Sequence, residues 1–189
     1  MEERLLELHA VAMDEFGLRV GMIAGGMWDA PTPCSEWTVR DLVNHLVAEQ
    51  LWVPPLLAGE TVESVGGRFD GDRLGDDPVA AWEEASAAAQ RALAEPGALD
   101  RDVHLSYATV SARHYCMELT ADLTIHAWDL ARGLGADDRV DPRLMIAAYE
   151  HLLPMKDALA GSGMFGEPVP VPDDADPQAR ALALTGRHP

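Results

Sequence analysis

Apolar residues recur at helical spacings over most of the chain. Leu5, Leu8, Val11, Ala12, Phe16, Val20 and Ile23 form one stripe, predicting an amphipathic helix that Gly25-Gly26 stops. A turn-rich stretch, Asp29 to Pro33, leads to Thr38. With Asp41 three residues on, Thr38 approximates a capping box and predicts a second helix from Val39 to Val53, ended by Pro54-Pro55. Residues 58–77 hold five glycines and six acids without periodicity and read as a solvated loop. Pro78 suits the first turn of a third helix reaching Ala94. Val103, Leu105 and Tyr107 alternate with polar neighbours and predict a short extended segment. A long helix follows from Ser111 to Leu134, closed by Gly133 and Gly135. Another runs from Pro142 to Leu159, kinked or broken at Pro154, and a short one spans Pro177 to Leu184.

Long helices joined by loops, without long strands, predict an all-α up-and-down four-helix bundle with an additional short C-terminal helix. Its 189 residues are read as a single domain, 1–189. Acidic residues outnumber basic ones by 32 to 14, a formal charge of -18, which excludes general binding to a phosphate backbone and disfavours an anionic membrane surface. No stretch has the ~18 uncharged apolar residues of a membrane span. Met1-Glu2-Glu3-Arg4 lacks the basic start of a signal peptide, and Cys34 and Cys116 form no CxxC pair, so a cytoplasmic protein with reduced thiols is expected.

Two motifs fail on their context. Gly161-Ser162-Gly163-Met164-Phe165-Gly166 matches GxGxxG but follows a predicted helix and precedes prolines, which makes it a helix stop and not a phosphate cradle. Asp70-Gly71-Asp72-Arg73-Leu74-Gly75 has leucine at the fifth position of a calcium loop and Ala81 at the twelfth.

Titratable residues on two helices are harder to dismiss. His45 and Glu49, one turn apart, fall at the edge of the apolar arc of Val39, Leu42, Leu46 and Val53. Burial there is costly unless the pair is hydrogen-bonded or coordinated. On the long helix Glu118, Asp122 and His126 stand at four-residue intervals beside Leu119, Leu123 and Leu130. Asp122 and His126 can present an oxygen and a nitrogen to one metal ion, with His45 as third ligand and a position left open for water or substrate. The alternative is a charged stripe with one core histidine.

The runs Trp37-Thr38-Val39-Arg40-Asp41-Leu42-Val43-Asn44-His45-Leu46 and Asp122-Leu123-Thr124-Ile125-His126-Ala127-Trp128-Asp129-Leu130-Ala131 resemble the DinB-like metal-binding bundles. More narrowly they resemble the actinobacterial branch related to the N-terminal domain of mycothiol-dependent maleylpyruvate isomerase. The ending from Pro177 to Arg187 resembles it too. The resemblance implies a four-helix bundle holding a divalent ion, often zinc or nickel, on His45, Asp122 and His126. It also implies an enzyme using a low-molecular-weight thiol such as mycothiol, as a metal-dependent transferase or isomerase. Two departures bear on this: the isomerase has Glu at the place of Asp122, and it has a further C-terminal domain that is not expected here.

Glu49 is the candidate general base beside metal-bound water, or else a hydrogen-bond partner of a ligand. Glu118 and Asp129 are either orienting partners of a ligand histidine or solvated charges. Trp52 and Trp128 either line a pocket mouth or pack in the core. The expected partner is a small-molecule substrate or thiol, with a second copy of the chain as a candidate subunit. A non-catalytic metal-binding bundle, serving as sensor or interaction module, is the alternative function.

Overall fold

The computed structural model describes residues 2–157, 159 and 165–189. The literal GxGxxG run lies outside the described residues, except for its last two positions. Four long helices carry the fold: α1 (Glu2–Val20), α2 (Val39–Leu57), and, beyond the one-turn helix α3 (Val62–Val65), α4 (Pro78–Leu93) and α5 (Ala112–Leu134). α1 packs along α5 and α2 along α4, and α2 also meets α5, so the four enclose one core. Two further helices, α6 (Pro142–Leu152) and α7 (Pro177–Leu184), stack on the outer side of α5, α6 against α5 and α7 against α6. The protein is an all-α helical bundle.

The start of α2 is fixed as the sequence indicates. Thr38 Oγ1 accepts the Asp41 backbone N–H at 3.2 Å, and Asp41 Oδ2 accepts that of Thr38 at 2.9 Å. Its end differs from the expectation, because α2 runs through Pro54 and Pro55. The prolines forfeit the bonds to the Gln50 and Leu51 carbonyls, but burial of Val53, Leu56 and Leu57 holds the last turn onto the core. Ala58 closes it through a 3.0 Å bond to the Pro54 carbonyl.

Residues 58–77 are more ordered than a plain loop, containing α3 and a 3-10 turn at Gly66–Phe69. Asn44 pins them to α2, donating to the Gly71 carbonyl at 3.0 Å and accepting the Arg73 N–H at 2.7 Å. The extended segment is shorter than the alternation suggests. β1 (Asp102–His104) pairs antiparallel with β2 (Thr109–Ser111), Val103 opposite Val110, and Tyr107 lies in the turn between them. Pro154 ends α6 early, in a 3-10 turn at Leu153–Met155. Among the described residues, no helix is long and apolar enough to cross a membrane.

Candidate metal centre

His45 and Asp122 meet where α2 faces α5, and His126 stands one turn along α5 from Asp122. His45 Nε2 is 3.4 Å from Asp122 Oδ2, and His126 Nε2 is 3.3 Å from Asp122 Oδ1. One donor atom from each of the three residues lies within 4.8 Å of the other two. Ligands 2.0–2.2 Å from a shared ion are separated by roughly 3 to 4.4 Å. Asp122 Oδ2 is buried yet has no hydrogen-bond partner among the described residues, since His45 Nε2 faces it without the alignment of a hydrogen bond. A buried carboxylate oxygen left in this way is costly unless a cation meets it. Two imidazoles and one carboxylate with an orphaned anionic oxygen suit a borderline divalent ion.

The electrostatics agree. Burial alone would raise the Asp122 carboxyl, but His126, and then His45, hold it far below the usual carboxylate range. Burial likewise opposes charge on His126, yet Asp122, then Asp129 and Cys34, push its imidazole well above the ordinary value. The pocket therefore holds positive charge firmly, and a divalent ion would take the place of a proton between these two residues.

The far side of His126 fixes its orientation. Nδ1 lies 2.9 Å from Asp129 Oδ2, and a carboxylate only accepts, so Nδ1 carries a proton and Nε2 is the nitrogen turned toward Asp122, free to bind an ion that displaces its own proton. Asp129 is fully buried and far from a solvated charge. Arg187 donates to it from two nitrogens, at 2.7 and 3.2 Å, and Cys34 donates its thiol at 3.2 Å. Burial would raise the Asp129 carboxyl, but His126 and Arg187 hold it below its ordinary value. Cys34, His126 and Asp129 also cluster closely enough to hold an ion. The Arg187 guanidinium, 3.3 Å from Cys34 Sγ, already supplies the cation on that side. The nitrogen that faces Asp122 is on the other.

The loop before α2 carries the cover. Glu36 adopts a left-handed backbone, φ 77°, so that Thr32 can donate to the Trp37 carbonyl at 3.2 Å. This turn brings Cys34 beside Asp129 and lays Trp37 over both histidines, its ring centroid 4.9 Å from His45 and 5.8 Å from His126. Gly133 lets the loop approach α5, because a Cβ there would sit 3.1 Å from Val39 Cγ2 and 3.3 Å from the Pro31 carbonyl.

Glu49 is half-buried one turn from His45, and burial, then Asp122, push its carboxyl above the ordinary value. Glu118 pairs with neither His45 nor His126; it accepts the Tyr107 hydroxyl and pairs with His114. Trp128 is a core residue, and Trp52 packs edge-on against Phe69. Three residues of the site escape a reading by helical spacing: Arg187, Cys34 and Trp37. Arg187 and Trp37 do stand inside runs that carry the family resemblance. Cys34 had no such signal, because its partners come from 92 and 95 positions away.

The fold is a helical bundle with two histidines and one carboxylate clustered between two of its helices. Within it, residues 9–131 match the model of the mycothiol maleylpyruvate isomerase N-terminal domain, and the chain belongs to that family. Two uncharacterized proteins of Mycobacterium tuberculosis, Rv0738 of strain H37Rv and MT0763 of strain CDC 1551, are similar along nearly all of it. Each is 30% identical over 188 residues, covering 96% of this chain and 97% of the relative. No solved structure gives a significant match.

Proposed function

We propose that the protein is a metal-dependent enzyme that uses a low-molecular-weight thiol such as mycothiol, in thiol transfer or isomerisation. His45, Asp122 and His126 would hold a divalent ion, zinc or nickel. The observation that carries this reading is the buried Asp122 carboxylate between two imidazoles, its orphaned Oδ2 facing His45 and its Oδ1 facing His126, in a chain of the mycothiol maleylpyruvate isomerase N-terminal domain family. A divalent ion there would bind the thiol sulfur and favour the thiolate, the nucleophilic form.

The chain's own residues supply the rest. Asp129, held by Arg187, keeps His126 in the tautomer that leaves Nε2 free. Trp37 shields the histidines and offers an apolar wall to a bound substrate. Glu49, one turn from His45 and with its affinity for protons raised by burial and by Asp122, would accept one from a thiol or an activated water. The strongly acidic surface repels anionic thiols, so the attraction must be local.

Cobalt substitution tests the reading. Cobalt-loaded protein titrated with mycothiol should develop a sulfur-to-metal charge-transfer band, and His45→Ala should abolish the band together with the cobalt equivalent that carries it. Bound cobalt that gives no band with any thiol would leave a non-catalytic metal-binding bundle. No cobalt uptake would defeat the reading altogether.

A further inference from the structure

A second set of donors lies nearer the N-terminus of α5, on the same stripe as Asp122 and His126 but sharing neither. His114 and Glu118 are one turn apart, with Nε2 and Oε1 separated by 3.3 Å. His151 reaches in from α6, its ring centroid 5.3 Å from that of His114 and tilted by 57°. One donor atom from each of the three lies within 4.8 Å of the other two.

A helical ion pair accounts for His114 and Glu118, but it leaves His151 unexplained. Its Nε2 is buried and has no hydrogen-bond partner among the described residues, although the neighbouring ring and carboxylate are close. An imidazole nitrogen is seldom buried idle, because its lost hydration needs a replacement. An ion accepted by all three residues provides one. Glu118 is also steadied from outside, accepting the hydroxyl of Tyr107, the kind of outer partner that fixes a coordinating carboxylate. All three residues are half-buried, so the site is open to solvent and leaves coordination positions for water.

We propose that His114, Glu118 and His151 form a second binding site for a borderline divalent cation such as zinc. Two nitrogens and one oxygen select zinc, nickel or cobalt over calcium and magnesium, which prefer oxygen throughout. An ion there ties α6 to α5, whereas the first cluster joins α2 to α5. The two sites share a helix and no ligand, so this one stands whether or not the first is occupied.

Zinc titration of metal-free protein against a chromophoric chelator, with native mass spectrometry to count ions, tests the proposal. At micromolar free zinc, His45→Ala should retain one equivalent. Adding His151→Ala or Glu118→Gln to it should weaken that equivalent at least about tenfold. Glu118→Gln preserves an acceptor for Tyr107, so it reads the site even if His151→Ala perturbs the fold. The proposal is overturned if His45→Ala protein binds no zinc, or if neither added substitution weakens the zinc it binds. If wild-type protein binds a single equivalent, its loss in Glu118→Gln supports this site, and its loss in His45→Ala alone refutes it.

Discussion

Arg187 grips the Asp129 carboxylate through both oxygens, 2.7 Å to Oδ2 and 3.2 Å to Oδ1, from 58 positions further along the sequence. Their side chains are 10% and 0% exposed, so the pair ties the segment after α7 to the middle of α5 directly behind His126. Removing one partner of such a pair leaves an uncompensated charge in the interior and costs about 3–5 kcal/mol. Arg187→Ala should lower stability in denaturant titration by about 3 kcal/mol at least, and zinc affinity at the first cluster by roughly 10- to 100-fold. Arg187→Lys should recover only part, because an ammonium cannot match both oxygens at once. A loss below about 1 kcal/mol for Arg187→Ala would mean that the pair does not hold the tail.

Gly186 sets the approach of that arginine. Its φ is +77°, and a Cβ there would meet Gly166 at 2.6 Å, on backbone atoms that cannot swing aside. Gly186→Ala should therefore destabilise by about 2 kcal/mol through strain and overlap together. Both substitutions undo the same docking, so the double variant Gly186→Ala/Arg187→Ala should fall short of the sum of the two. Strict additivity would separate the glycine from the docking of Arg187.

His9 links stability to pH. Its Nδ1 lies 3.0 Å from Thr120 Oγ1 between α1 and α5, and burial lowers its pKa from 6.5 to about 4. The unfolded chain takes up the proton below pH 6.5 while the folded protein resists until about pH 4. The contribution is therefore complete above pH 6.5 and disappears as pH falls through that window, amounting to about 3 kcal/mol. His9→Gln should flatten the stability profile between pH 6.5 and 4 relative to wild type. Parallel profiles would show that another group is responsible.

Local rules reached far into this molecule, but not into all of it. The Thr38–Asp41 cap, Pro78 and Ser111 at helix starts, and the span of α7 follow from neighbours within a turn, as does the pairing of Asp122 with His126. His45 needed the bundle to bring it across from α2. Pro54-Pro55 misled because core contacts of Leu56 and Leu57 outweigh a local breaking signal. Asp129 looks like a surface charge in sequence because the groups that neutralise it, Arg187 and Cys34, are remote and sit in irregular segments. His151 was hidden for the same reason, since its neighbours belong to another helix.

The first cluster joins α2 to α5, so an ion bound there resists unfolding by mass action. Zinc held at one hundred times its dissociation constant should add about 2.7 kcal/mol. For a chain of this size that corresponds to a rise in Tm of roughly 5–10 °C. The measurement belongs in the Glu118→Gln background, where the second cluster contributes little. Removing His45 there leaves two ligands on a single helix, which cannot bridge α2 and α5, so the rise should vanish in His45→Ala/Glu118→Gln. Asp122→Asn should behave similarly, since the amide discards the negative charge that makes the pocket hold a cation. A thermal shift that survives both substitutions would place the stabilising ion elsewhere, and equal melting with and without zinc in Glu118→Gln would leave the buried Asp122 oxygen without a metal to explain it.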